Sequence, residues 1–313
     1  MSTVFTLEPR PPFRLDLTAW VLRRRPGNLV DRWDGGTYRR AMRIGGVVTE
    51  VEVRQTGSPQ APRLAVTAVT DTPVDPGVAR LAITTALDRL LGLDVDLDNF
   101  YRCVADDAHL GPLADRFRGL KPPRFLTMFE CVANAIACQQ LTLTVGIMLL
   151  NRLSESHGPA GPGQSRDHAF PEPGDLAGED PAVLRKVGFS NRKASTVIEI
   201  AERITAGHLD LETLRETDND AAVAALQELS GVGRWSAEYA LLRGLGRLEV
   251  FPGDDVGARN NLALHLGLAS ALDYDGVRQT VARWAPYAGL AYFHLLAERI
   301  EAAGWLDSPR VVA

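Results

Sequence analysis

The chain has 313 residues, 45% of them hydrophobic and 23% charged, and a net charge of −5. That balance is an ordinary globular one, with length for two or three domains. A negative sum argues against coating nucleic acid through bulk charge, although it leaves local basic patches open. No uncharged apolar run reaches the roughly 18 residues of a membrane span, and the N-terminus lacks the layout of a secretory signal, so a cytoplasmic protein is expected. Cys103, Cys131 and Cys138 are odd in number and form no C-x-x-C pair. They speak against a disulfide framework and against a cysteine-held zinc or iron–sulfur cluster.

In chain order, the first feature is a basic patch: Arg23, Arg24 and Arg25, then Arg32, Arg39, Arg40 and Arg43, with Trp33 and Tyr38 between them. It reads either as a solvated face or as a nucleic-acid contact. From Tyr38 to about Val69 apolar and polar residues alternate, which predicts an antiparallel meander. A helix with Pro and Gly at its start follows in DPGVARLAITTALDRLLGL. Beyond about residue 100 the strand signal ends. FLTMFECVANAIACQQLTLTVGIMLLNRL predicts a long helical region, and SESHGPAGPGQSRDHAFPEPGDL a surface loop rich in Gly and Pro. Short helical patterns without a fixed repeat then continue to the end.

Two segments carry chemistry. In LQELSGVGRWSAEYALLRGLG, a helix ends near Leu229 and another begins near Arg234, joined by Ser-Gly-Val-Gly. Gly231 and Gly233 permit a tight hairpin, and the free N–H groups at the start of the second helix suit a phosphate; a plain packing corner would have the same pattern. Trp235 and Tyr239 share one helix face, either as core or as a π-rich wall. In VFPGDDVGARNN, Asp254 and Asp255 follow a Pro-Gly turn, where an aspartate commonly caps a helix.

With the aspartate nine residues after Gly246, these segments resemble the helix-hairpin-helix DNA glycosylase superfamily, and more closely AlkA-type DNA-3-methyladenine glycosylases II. FECVANAIACQQLT, FPEPGDLAGEDPAVLRKVGFSNRKASTVIEIA and RWAPYAGLAYFHLL resemble further parts of that family, and PPFRLDLTAWVLRRR and YRRAMRIGGVVTEVEV its N-terminal domain. The resemblance implies an α+β fold with an N-terminal antiparallel sheet of TATA-binding-protein type. Residues 1–98 would form that domain, 125–247 a helical domain with the hairpin, and 99–124 with 248–313 a second helical domain, the catalytic aspartate lying at the cleft between the two.

The implied activity is base flipping and hydrolysis of the N-glycosidic bond of an alkylated purine in double-stranded DNA, within base excision repair. Asp255 would stabilise the oxocarbenium-like sugar while Asp254 caps the helix or contacts the backbone, or the two roles are exchanged. Trp235, Tyr239, Gln139 and Leu296 would line the pocket, the aromatic pair favouring cationic bases by cation–π attraction; Leu296 falls where the family places an aromatic. Gly231, Val232, Gly233, Arg234 and Ser236 would meet the DNA backbone, and Gln140 or Leu141 would fill the gap left by the flipped base. Arg192 and Lys193 are either phosphate contacts or a solvated face. Bifunctional relatives carry a lysine where this chain has Trp235, so the resemblance favours a monofunctional enzyme. The alternatives are a bifunctional oxidised-base glycosylase/lyase and a non-catalytic DNA-binding module. A monomer is expected, with no required cofactor and no iron–sulfur cluster; a monovalent cation at the hairpin carbonyls is left open.

Overall fold

The computed structural model describes residues 1–163 and 167–306; residues 164–166 of the Gly- and Pro-rich loop, and 307–313, lie outside the described residues. The N-terminal part is a five-stranded antiparallel sheet of order β1-β5-β4-β3-β2, built from β1 (Ser2–Leu7), β2 (Arg32–Asp34), β3 (Thr37–Ile44), β4 (Val47–Gln55) and β5 (Leu64–Thr70). The predicted meander is β3-β4-β5. Gly45 and Gly46, at φ 57° and 82°, make the two-residue turn between β3 and β4, a conformation that glycine adopts without strain. Helices α1 (Leu15–Arg23) and α2 (Pro76–Leu91) cover the inner face, where Val51, Val53 and Val66 meet Leu15, Leu22, Leu87 and Leu90. Asp75 caps α2 through the amides of Gly77 and Val78, with Pro76 in the first turn.

The helical part runs α3 (Asp98–Val104), α4 (Leu110–Arg116), α5 (Met128–Cys138), α6 (Leu143–His157), α7 (Pro181–Val187), α8 (Asn191–Thr205), α9 (Asn219–Gln227), α10 (Arg234–Ala240), α11 (Val256–His265), α12 (Tyr274–Val281) and α13 (Ala288–Ala302). The long helical region predicted from Phe125 onward consists of α5 and α6. The chain breaks between α5 and α6, where Gln140 is left-handed at φ 55° and Thr142 caps α6. Helix α10 runs directly into a π-helical turn at Leu241–Leu245, a distortion often found next to functional sites.

Among the described residues the buried apolar side chains form three clusters. One lies between the sheet, α1 and α2. The second joins α5–α10. The third draws on α3, α4 and α11–α13, and takes Leu17, Trp20 and Val21 from the other side of α1. Helix α1 is therefore shared between the sheet cluster and the third cluster, and it carries Arg23 and Arg24 to where the clusters meet.

Much of the basic patch is engaged within the fold. Arg23, Arg24 and Arg40 are buried. Arg40 pairs with Asp31 at 2.8 Å and with Glu130 of α5 at 2.6 Å, joining the sheet to the helical part. Arg43 bonds Glu172 and Asp175, Arg39 bonds Glu52, and Arg32 bonds Glu50 and Asp167. Their acceptors lie on distant segments, so the sequence shows the cations without their partners.

Candidate active site

The hairpin is shaped by backbone constraints. Gly231 has φ 75°, and a Cβ there would stand 2.9 Å from Thr196 Oγ1; both facts select glycine. The amide of Val232 closes the turn on the Leu229 carbonyl at 3.0 Å. Gly233 is exposed and begins α10, whose first N–H groups have no acceptor within the helix.

The break after α5 braces this turn. Gln139 Nε2 donates to the Gly231 carbonyl and to Ser236 Oγ, both at 2.9 Å. Lys193 of α8 donates to the carbonyls of Ala137 at 3.0 Å and Gln139 at 2.6 Å, closing the C-terminus of α5. Lys193 is thus occupied within the fold, and burial pushes its pKa down, whereas Arg192 is exposed. Gln140 and Leu141 project at the surface, Leu141 being 43% exposed. Val232 and Ser236 are buried, so of the hairpin residues Ser230, Gly233 and Arg234 are the ones that face out.

The two aspartates divide their roles differently from the expectation that Asp254 caps the helix. Asp255 is the cap of α11: its Oδ1 accepts from the Ala258 amide at 2.9 Å. The turn places Asp255 immediately before the first helical residue, and a side chain one position earlier cannot reach that amide. Asp254 instead accepts from Arg234 Nε at 2.6 Å, tying the hairpin to the aspartate loop. Arg234 lies 3.6 Å from the Tyr274 ring centroid. Tyr274 in turn donates to Glu238 at 2.6 Å, and Glu238 also accepts from the Gly253 amide at 3.0 Å. One small network therefore sets the height of Asp255 relative to α10.

The second carboxylate oxygen of Asp255 faces α13, where Tyr292 donates to it at 3.3 Å. Burial, and next the negative charge of Asp255, push the phenol well above its ordinary 10.0, so it remains a donor. Tyr292 was not singled out in the sequence. Its signal was an aromatic one helical turn before Leu296, which is itself half-buried against the third cluster.

Trp235 and Tyr239 pack with ring centroids 5.6 Å apart, tilted by 36°. Tyr239 is buried and Trp235 half-buried. The Tyr239 hydroxyl accepts from Arg24 at 2.9 Å, and Arg24 also donates to Asn134 at 2.7 Å. A second buried guanidinium, that of Arg243, stands 5.8 Å from the Tyr239 ring centroid and bonds the carbonyls of Val21 and Leu22. Burial pushes the Tyr239 phenol up to about 12, with Arg24 and Arg243 pulling against that shift. A cleft of about 340 Å³ includes Glu238, Leu241, Phe251 and Tyr274 on another face of α10, and neither Tyr239 nor Asp255 lines it. Among the described residues no group of three or more His, Cys, Asp or Glu side chains could hold a metal ion, and no helix is long and apolar enough to cross a membrane.

The HhH-GPD superfamily base excision DNA repair protein profile matches residues 133–286. The AlkA N-terminal domain profile matches residues 4–127. A Bacillus subtilis (strain 168) protein provisionally named a DNA-3-methyladenine glycosylase, YfjP, is 26% identical over 285 residues, 91% of this chain and 95% of its own. The Escherichia coli (strain K12) DNA-3-methyladenine glycosylase 2 is 28% identical over 59% of this chain and 63% of its own. Among solved structures, the 3-methyladenine DNA glycosylase from Archaeoglobus fulgidus superposes with a TM-score of 0.80 at 25% identity, over 93% of this chain and 97% of that one. The fold also matches a Clostridium acetobutylicum 8-oxoguanine glycosylase/lyase in complex with double-stranded DNA, with a TM-score of 0.74 at 17% identity over 96% and 98% of the two chains.

Proposed function

We propose that this protein is a monofunctional DNA glycosylase that flips an alkylated purine of the 3-methyladenine type out of duplex DNA and hydrolyses its N-glycosidic bond. The observation that carries this reading is Asp255. One of its oxygens is fixed by the Ala258 amide and the other by Tyr292, and its loop is tied through Asp254 to the first residue of the hairpin helix. A carboxylate so held is preorganised to stabilise positive charge developing on the deoxyribose and to orient the attacking water. Water is the co-substrate, and the step calls for no cofactor.

Trp235 and Tyr239 would stack on the extruded base, and the hairpin amides from Gly233 onward would hold a phosphate. Gln140 or Leu141, exposed on the rigidly anchored α5–α6 break, would fill the space left in the duplex. Gln139 would act by holding Gly231 and Ser236 in place. The carbonyls of Leu229 and Gly231 each accept one hydrogen bond, and each keeps a lone pair with which a monovalent cation could be held. Division into residues 1–98, 125–247, and 99–124 with 248–313 belongs to the same proposal, supported by the three apolar clusters. So do a monomeric state and a cytoplasmic location.

The lyase alternative needs a lysine at the sugar. The chain has three, Lys121, Lys186 and Lys193. Lys121 is fully buried, Lys193 is spent on two carbonyls and Lys186 is exposed in the last turn of α7, while Trp235 offers no amine. The test is incubation with duplex DNA carrying 3-methyladenine. Free base without strand breaks is the expected result. Strand nicking without alkali would mean a lyase, and binding without base release a non-catalytic module.

A further inference from the structure

Asp255 stands at the end of irregular chain. Residues 246–255, between the π-helical turn and α11, form turns and irregular links, so the place of the carboxylate depends on ties to neighbouring elements. Two of those ties adjoin it: the Gly253 amide donates to Glu238 at 3.0 Å, and Asp254 accepts from Arg234 at 2.6 Å. Both lead to Tyr274. Its hydroxyl donates to the other oxygen of Glu238 at 2.6 Å, and its ring centroid lies 3.6 Å from the Arg234 guanidinium carbon. The ring edge also rests on Gly253, where a Cβ would stand 2.7 Å from Cδ2 and 2.8 Å from Cε2 of the tyrosine. A contact this close needs the missing side chain of glycine.

Tyr274 itself has a fixed base. It opens α12, whose Asp273 cap accepts from the Gly276 amide at 2.8 Å and whose Val277 and Val281 are buried in the third apolar cluster. Burial, and next the bond to Glu238, push the phenol up to about 12, so it stays a donor at neutral pH. One aromatic side chain thus meets the start of the hairpin helix, the middle of α10 through Glu238, and the aspartate loop.

We infer that Tyr274, acting through Glu238 and Gly253, is a positioning residue for base excision, fixing where the Asp255 carboxylate stands relative to the hairpin helix. This rests on the glycosylase reading above and adds to it a residue on another face of α10 from the aromatic pair. A carboxylate that stabilises charge on the sugar acts by being held in place beforehand, and a displacement of about 1 Å costs on the order of a hundredfold in rate. The contacts of Tyr274 run to the loop and the hairpin helix, so its loss acts on the rate of bond cleavage through Asp255. Tyr274→Phe isolates that effect: the ring stays against Arg234 and Gly253, and the hydroxyl bond to Glu238 is removed.

The experiment measures single-turnover release of 3-methyladenine from duplex DNA by the full chain, with duplex affinity taken on the same samples. Tyr274→Phe should slow release about tenfold while affinity stays within about threefold of the wild type. Glu238→Ala should slow it at least as much. Glu238→Gln can accept from the Gly253 amide and donate to the Tyr274 oxygen, and should recover to within about threefold of the wild-type rate. In an Asp255→Asn background, Tyr274→Phe should change the residual rate by less than about twofold, because its effect runs through that carboxylate. A further fall of about tenfold in that background, a parallel loss of affinity, or an unchanged rate in Tyr274→Phe overturns the inference. Amide exchange gives a reading that needs no turnover: the Gly253 amide should exchange at least about tenfold faster in Glu238→Ala, and unchanged protection also overturns the inference. Wild-type protein that releases no 3-methyladenine contradicts the glycosylase reading itself, and the exchange rates then decide whether the loop is held in this way.

Discussion

His294 gives a prediction whose size follows from its surroundings. It lies on α13, two residues after Tyr292, with no exposed surface and a ring centroid 5.1 Å from that of Phe100. Nδ1 bonds the Leu290 carbonyl at 2.8 Å, and Nε2 is buried without a hydrogen-bond partner. Protonation would create a charged N–H in an apolar enclosure, and burial accordingly lowers the pKa from 6.5 to about 4. The unfolded chain binds this proton more readily than the folded one. Stability is therefore fully present above pH 6.5 and is lost as pH falls toward 4. The loss is about 2 kcal/mol by pH 5 and about 3 kcal/mol once both states are protonated. Urea unfolding at pH 7 and pH 5 measures it directly. His294→Leu should be less sensitive over that interval than the wild type by about 2 kcal/mol. Equal pH dependence in the two proteins would refute the assignment of a buried neutral imidazole.

Three further outcomes are expected. Arg40→Met leaves Asp31 and Glu130 buried without their cation and should cost about 3–5 kcal/mol in chemical denaturation; a loss below about 1 kcal/mol would show that the triad does not fasten the sheet to α5. Gln139→Ala removes both bonds to the hairpin; titration should show duplex binding weakened by about 1–3 kcal/mol with little change in thermal midpoint, and unchanged affinity would contradict the bracing role. Tyr292→Phe removes the hydrogen bond to Asp255 and should slow base release by about tenfold while duplex affinity is kept; a matching fall in affinity would assign Tyr292 to packing instead.

The parts of this fold that were legible in the sequence are those set by local pattern. Alternation gave β3, β4 and β5, Asp75 and Pro76 marked α2, and the glycines around Val232 marked the hairpin. Strand β1 was not recognised because it pairs with β5, far along the chain, from Ser2 with Val69 to Leu7 with Leu64, and six alternating residues at a terminus are a weak signal. The break inside the long helical region was marked only by Gln139–Thr142, polar apart from Leu141 and ending in a helix-capping threonine. The arginines were misread because burial depends on partners such as Asn134, Glu130 and Tyr239, which meet them only after the clusters pack. The same holds for Tyr292: helical spacing puts it on a face of α13, but its contact with Asp255 is tertiary.

Asp255 is the residue on which the functional account depends. Single-turnover release of 3-methyladenine from duplex DNA by the wild type and by Asp255→Asn tests it most directly, with duplex affinity measured on the same samples. The asparagine can keep the cap to the Ala258 amide while losing the negative charge. The account predicts release slowed by at least about a hundredfold with duplex binding retained; undiminished release by Asp255→Asn would contradict it.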